Sequence, residues 1–445
     1  MLSSVQNVFR IPELRRRILV TLSLLVVYRI GSHVPLPGVD VEAIRAALSN
    51  TDSGVLGSML GMFNTLSGGN LGSMVLFSLG IMPYISASII FSLLTKVVPS
   101  LEKLSKEGTQ GQKKINQYTR YATVPLCIIQ AFFIVRGIMP QLLAMEGPPI
   151  IDPELYHTFR YQLMCILALT TGGIFLMWLG EQITEFGIGN GISLLIMCGI
   201  VSDIPVAIKD FMMFPGESTT KIQTGILMTM LFLGMIWIVV LITKAHRRIP
   251  IQQARQMRGR RVYGGQRHYL PIKVNQAGVM PVIFASSLLI VPSLIFSTLG
   301  LSMFERLFST SSFVYIVVYV AMIYFFSFFW TTLMIQPTEM AKNLKEYGSF
   351  IPGIRPGRRT SEYLEGIMVR ITLVGASFLA FIALLPQLAS ESLGVQQIFT
   401  RFLGGTSILI VVGVALDLVD KINSHLLMRD YEGFMRRGRG GATKR

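Results

Sequence analysis

"VLGSMLGMFNTLSGGN", residues 55–70, decides how the rest of the chain is read. The segment is apolar with helical periodicity and ends in a glycine pair. About 12 helical residues cover only ~18 Å, whereas a hydrocarbon core is ~30 Å thick. This stretch is long enough to fill a cavity and too short to cross a membrane. The sequence on either side of it is long enough to cross.

Working outward, the 445 residues are 51% hydrophobic and 14% charged, with a mean hydropathy of +0.56. Soluble domains carry about 25% charged residues. Apolar stretches of about 20 residues recur, and ten spans are expected at roughly 18–37, 72–95, 121–139, 161–180, 190–208, 223–243, 276–296, 313–335, 369–388 and 403–423. The fold class is an all-α polytopic membrane protein.

The loop cations set the orientation. With the N-terminus inside, 32 of the 40 Lys and Arg residues fall in inside segments and seven in outside loops, leaving Arg29 within the first span. Acidic residues divide evenly, apart from Asp417 and Asp420 in the last span. The first span follows a basic "RRR" (15–17) but lacks a small-x-small cleavage site and runs on into "HVPLPGVD" (33–40). It therefore reads as a retained anchor and not as a signal peptide. Cys127, Cys165 and Cys198 lie inside spans without metal or redox spacing and read as packing residues.

Ten spans divide as five and five, and an odd number per half requires the halves to insert upside down relative to each other. Inverted repeats place a working path at their interface. The organisation expected is an N-terminal half over 1–208 with the short helix at 55–72, a sixth span in 209–243 and a basic loop over 244–275. Spans seven and eight follow in 276–335, a second inside loop in 336–368, spans nine and ten in 369–423 and a basic tail over 424–445. The tail end "RRGRGGATKR" reads as disordered.

The loop "KAHRRIPIQQARQMRGRRVYGGQRHYLPIK" (244–273) holds nine basic residues and no acid. "RRVY" and "HYLPIKV" around "GGQR" give a hairpin signal. Basic residues hold such a loop inside the cell, or they neutralise the phosphates of a large anionic partner. The loop 336–366 has a helical first half and a turn-rich tip, "PGIRPG" (352–357).

No nucleotide-binding loop, HExxH pair or catalytic constellation appears, so no cofactor or metal is expected and any work must be driven from elsewhere. Asp417 and Asp420 share a helix face at i, i+3 and read as a structural pair or a solvated wall in preference to a proton relay. Ile81 and Ile85, and Ile192 and Ile196, are i, i+4 pairs; spacing alone makes them lipid-facing or packed. Two other classes stay open on the residues alone. A secondary transporter with inverted repeats would want more polar residues at mid-depth, and an intramembrane enzyme would need a nucleophile–base pair.

"FNTLSGGNLGSMVLFSLGIMPYISASII" (63–90), "WLGEQITEFGIGNGIS" (178–193), "VNQAGVMPVIFASS" (274–287), "NLKEYGSFIPGIRPG" (343–357) and "FLGGTSILIVVGVALD" (402–417) closely resemble the SecY family, the channel subunits of the bacterial Sec translocon. The likeness runs in order from the first span to the tenth. It implies two pseudo-symmetric inverted five-helix halves around a central hourglass pore that conducts unfolded polypeptides and releases apolar helices sideways into lipid. The half-length helix becomes a plug, with Met59, Met62, Phe63, Asn64, Gly68 and Gly69 in it. The family's pore ring falls on Ile81, Ile85, Ile192, Ile196, Ile283 and Ile410. Ser86, Gln130 and Asn275 match the polar cluster of its lateral gate.

The resemblance also implies partners: the small membrane subunits SecE and SecG, the SecA ATPase, the ribosome, signal sequences and nascent chains, and the lipid bilayer. Arg247, Arg248, Arg255, Arg258, Arg260 and Arg261 would meet the ribosome or motor. Arg355 matches an arginine important for motor-driven transport. The place implied is the bacterial plasma membrane with both termini cytosolic. The likeness departs at Phe186, where the family usually carries arginine, and the tail is more basic than usual.

Overall fold

The computed structural model describes residues 11–40, 43–44, 74–140, 151–202, 204–205, 208–209, 218–253, 256–258, 261–263, 267–286, 288–289, 312–393 and 405–440. Twelve helices and five short strands are delimited among them. Among the described residues five helical stretches are long and apolar enough to cross a membrane, or six if one bent pair counts as a single span. The chain divides into two compact units, 1–214 with 414–445, and 215–413.

In the first unit, α1 (Pro12–Gly31) begins on a proline, whose missing N–H costs nothing in a first turn. The first span therefore starts six residues earlier than expected and stops at Gly31. Beyond it Pro35 and Val75 form an antiparallel bridge: Leu76 N donates to Val34 O at 2.9 Å and Leu36 N to Met74 O at 3.0 Å. Residues 74–81, expected to be helical, are turns instead, and α2 runs only over Met82–Val97. Gly80 at φ +57° and Pro83 in the first turn set that start. Pro99 then opens α3 (Pro99–Lys106) at 98° to α2, because the residue before a proline is pushed out of the helical region.

The third span is much longer than its apolar part. α4 (Thr109–Phe133) continues as a π-helical turn over Ile134–Ile138. A short turn of helix, α5 (Pro153–Tyr156), precedes α6 (Phe159–Phe186) and α7 (Gly191–Ser202). Gly172 on α6 lets the 74–81 segment lie against the helix: a Cβ there would stand 2.1 Å from the Leu76 carbonyl oxygen. Leu36, Met74, Leu79, Val135, Met139, Tyr161 and Leu169 share one buried cluster, with the Tyr161 hydroxyl donating to Pro37 O at 2.8 Å.

In the second unit, α8 (Ser218–Thr243) leads into β1 (His246–Gln253), β2 (Gln256–Arg258), β3 (Arg261–Tyr263) and β4 (Arg267–Lys273). The expected hairpin about "GGQR" is not the pairing found. β1 pairs with β4 and β2 pairs with β3, the latter ladder ending at Arg258 opposite Arg261. Register explains this: Ile249 and Ile251 alternate with exposed neighbours on β1, and Ile249 lies opposite Leu270, so the β1–β4 ladder buries one apolar face.

Residues 280–286 are helical, followed by α9 (Phe313–Met334), α10 (Pro337–Glu346), β5 (Ser349–Phe350), α11 (Arg358–Leu393) and α12 (Gly405–Gly440). α9 coincides with the span expected at 313–335. α12 extends well past its apolar segment, so the tail expected to be disordered is helical through Gly440; "HLLMRDYEGFMRR" is rich in good helix formers and has no proline. Trp237, Met230, Phe313 and Phe325 are among the large apolar side chains left exposed, as a lipid-facing surface requires.

Candidate functional site

The corner between α6 and α7 is built by hydrogen bonds from "GIGNG". Thr184 Oγ1 donates to Gly180 O at 2.8 Å and accepts from Gly191 N at 2.8 Å. Asn190 Oδ1 accepts from Ile192 N at 3.1 Å, capping orphan donors at the start of α7. From below, Thr21 Oγ1 on α1 accepts from Ile188 N at 3.1 Å.

This corner carries Ile192 and Ile196 to Ile81 and Ile85. All four belong to one apolar cluster with Tyr28, Phe77, Leu176, Leu179, Ile183, Leu194 and Leu195; Ile81 is buried and the other three partly so. Val414 and Leu418 on α12 pack against it. Sequence reasoning missed these two, although they continue the i, i+4, i+8 stripe that starts at Ile410. In the second unit Ile283 and Ile410 are buried.

Ser86 on α2 and Gln130 on α4 are half-buried on neighbouring helices, and no hydrogen bond joins them among the described residues. Asn275, also half-buried, belongs to the second unit beside Gln276, whose Oε1 is buried without a partner. The expected plug residues Met59, Met62, Phe63, Asn64, Gly68 and Gly69 lie outside the described residues.

The two basic loops, read separately in the sequence, form one platform. β5 adds to β1, giving the sheet order β4-β1-β5. Beneath it Ile249, Ile272, Ile351 and Leu364 form a buried core, flanked by Met340, Leu344 and Ile367. Arg247 and Arg248 are exposed on β1. Exposed Arg355 sits between Gly353 at φ +85° and Gly357 at φ +114°, and its carbonyl accepts from Thr360 Oγ1 at 2.9 Å. Arg258 and Arg261 are register partners of β2 and β3, while Arg255 and Arg260 lie outside the described residues. Arg267, His268 and Lys273, not singled out from sequence, are exposed on β4.

Two of the intramembrane charges have partners. Arg29 Nη1 donates to Ser202 Oγ at 2.9 Å, and Asp417 pairs with Lys421 at 3.1 Å, one turn along α12. Arg120 bridges α4 to Glu181 on α6. Outside the membrane, the Lys106 ammonium holds the Glu102 carboxyl below the usual carboxylate range. No cluster of three or more His, Cys, Asp or Glu able to hold a metal occurs among the described residues.

A family model described as SecY matches residues 75–419. The protein translocase subunit SecY of Streptomyces scabiei is 44% identical over 446 residues, covering 98% of this chain and 100% of that one. The same subunit from Escherichia coli strain K12 is 41% identical over 432 residues, covering 96% and 94%. Among solved structures, "The structure of a protein conducting channel" matches with a TM-score of 0.59 at 18% identity, over 92% of each chain. "Cryo-EM structure of idle yeast Ssh1 complex bound to the yeast 80S ribosome" matches with a TM-score of 0.58 at 15% identity, over 91% of this chain and 89% of that one. At those identities the structural likeness speaks for the fold.

Proposed function

This chain belongs to the SecY family, and on that premise we propose how its own residues do the family's work. It is a multi-pass membrane protein, the protein-conducting channel subunit of a Sec translocon and not an enzyme. Ile81, Ile85, Ile192, Ile196, Ile283 and Ile410 form the constriction. Branched apolar side chains offer a passing ion no hydrogen bonds and favour dewetting, yet yield around an extended polypeptide of any sequence. The observation that carries this reading is the convergence of four of the six in one cluster set by the α6–α7 corner.

The segment 55–72 is the plug that seals the resting pore. Ser86, Gln130 and Asn275 are the polar latch of a lateral gate that hands apolar helices to lipid. Interhelical hydrogen bonds in lipid are worth about 0.6–2 kcal/mol each, enough to bias a gate and little enough for an inserting helix to overcome.

The platform of β1, β4 and β5 docks the energy source, a ribosome or the SecA ATPase. Its arginines suit an anionic partner, whose phosphates they would neutralise. A ribosome-bound relative of the same fold supports this assignment. SecE and SecG complete the complex in the bacterial plasma membrane, with both termini cytosolic.

Ion conductance tests the constriction. In planar bilayers the purified complex carrying Ile81→Ser with Ile192→Ser should leak ions several-fold more than the parent in the absence of substrate. Unchanged conductance from a correctly folded variant would remove these residues from the seal.

A further inference from the structure

Away from the pore, α1 and α6 enclose an open groove of 590 Å³. Its lining comes in two stripes. Glu13, Arg16, Arg17, Val20 and Leu24 fall at i, i+3, i+4, i+7 and i+11 on α1; Trp178, Gln182, Glu185 and Phe186 fall at i, i+4, i+7 and i+8 on α6. The helices meet with the N-terminal end of α1 against the C-terminal end of α6, where Arg17 Nη1 reaches Gly187 O at 3.5 Å. All four charges therefore lie at one end of the groove, while Val20, Leu24 and Trp178 line the other. An amphiphile has the same polarity.

The charges are balanced, two guanidinium groups and two carboxylates. Among the described residues no ion pair joins Glu13, Arg16, Arg17 or Glu185 to one another, and the one long contact of Arg17 to Gly187 O leaves the rest of its guanidinium to a ligand. Uncompensated cations would select an anionic lipid. A balanced set matches a headgroup that carries both signs: the guanidinium groups take a phosphate through charge-assisted bonds, and the carboxylates take an ammonium. Trp178, half-exposed where the apolar stretch of α6 gives way to Glu181 and Glu185, has the place of an interfacial aromatic.

We propose that this groove is a binding site for one zwitterionic phospholipid with a primary amine, its phosphate on Arg16 and Arg17, its ammonium between Glu13 and Glu185, and its acyl chains along Val20, Leu24 and Trp178. The site lies wholly within the first unit and does not depend on the pore assignment.

The test is photolabelling of the purified complex by phosphatidylethanolamine with a photoreactive acyl chain, the labelled peptides being read by mass spectrometry. Label should fall on residues 12–24 and 178–186. Unlabelled phosphatidylethanolamine should compete about tenfold better than phosphatidylglycerol, and soluble glycerophosphoethanolamine should not compete. Arg16→Gln with Arg17→Gln should cut labelling about tenfold, the loss of roughly one charge-assisted contact. Glu13→Gln with Glu185→Gln should turn the preference toward phosphatidylglycerol. Phe186→Arg, at an exposed side chain that leaves the fold alone, should move it the same way. Equal competition by phosphatidylglycerol, or labelling indifferent to these variants, would overturn the proposal. So would a photoreactive residue at 178 that captures residues 1–10 or another polypeptide in place of lipid.

Discussion

Gly191 lies against Gly180 so closely that a Cβ on Gly191 would stand 2.0 Å from the Gly180 carbonyl oxygen. The α6–α7 corner, and with it the position of Ile192 and Ile196, rests on that approach. Gly191→Ala should destabilise the first unit by at least about 1–3 kcal/mol, because the obstacle is backbone and cannot rotate away. Thermal unfolding of the detergent-purified complex would show the loss as a lower Tm. The resting ion leak should rise with it.

Thr21 supports the same corner from α1. Its hydroxyl donates to Arg17 O at 2.9 Å and accepts from Ile188 N. Thr21→Val keeps the volume and removes the acceptor, leaving a buried amide unpaired at a cost of about 1–3 kcal/mol. Thr21→Ser, which restores the hydroxyl, should recover most of the stability.

Arg29 and Ser202 can be tested as a pair. A double-mutant cycle with Arg29→Gln and Ser202→Ala should return a coupling of about 0.6–2 kcal/mol, the range for hydrogen bonds between helices in lipid. Additive effects would mean that the 2.9 Å contact contributes nothing.

The platform separates packing from docking. Leu364 is fully buried, and Leu364→Ala should cost about 2–5 kcal/mol and loosen β1, β4 and β5 together, read as faster amide exchange in all three strands. Arg355 is exposed, so Arg355→Glu should leave Tm unchanged while lowering motor- or ribosome-coupled transport by tenfold or more. The parent's docking affinity should fall steeply with salt.

The membrane spans were legible wherever an apolar run was bounded sharply, as at Phe313–Met334. Boundaries slipped where polar residues kept good helix propensity, as in the extension of α4 back to Thr109 and of α12 to Gly440. Residues 74–81 misled because an apolar run says nothing of the Pro35–Val75 bridge that unwinds it. The hairpin was misplaced for a similar reason: a local turn signal at Gly264–Gly265 lost to the long-range pairing of Ile249 with Leu270. β5 is two residues long and carries no periodic signal, so the joining of the two loops was invisible. The isoleucine pairs could be seen but not interpreted, since every spanning helix has such pairs. Only the resemblance to a family singled them out.

In the proposed mechanism polypeptide passes through the isoleucine constriction. A photoreactive residue placed in turn at Ile81, Ile192 and Ile283, with a secretory chain stalled midway across native membranes, tests it directly. Adducts to the stalled chain are expected from all three positions and none from Phe325, an exposed side chain on α9. No adducts from a folded protein with an engaged substrate would contradict the pore assignment.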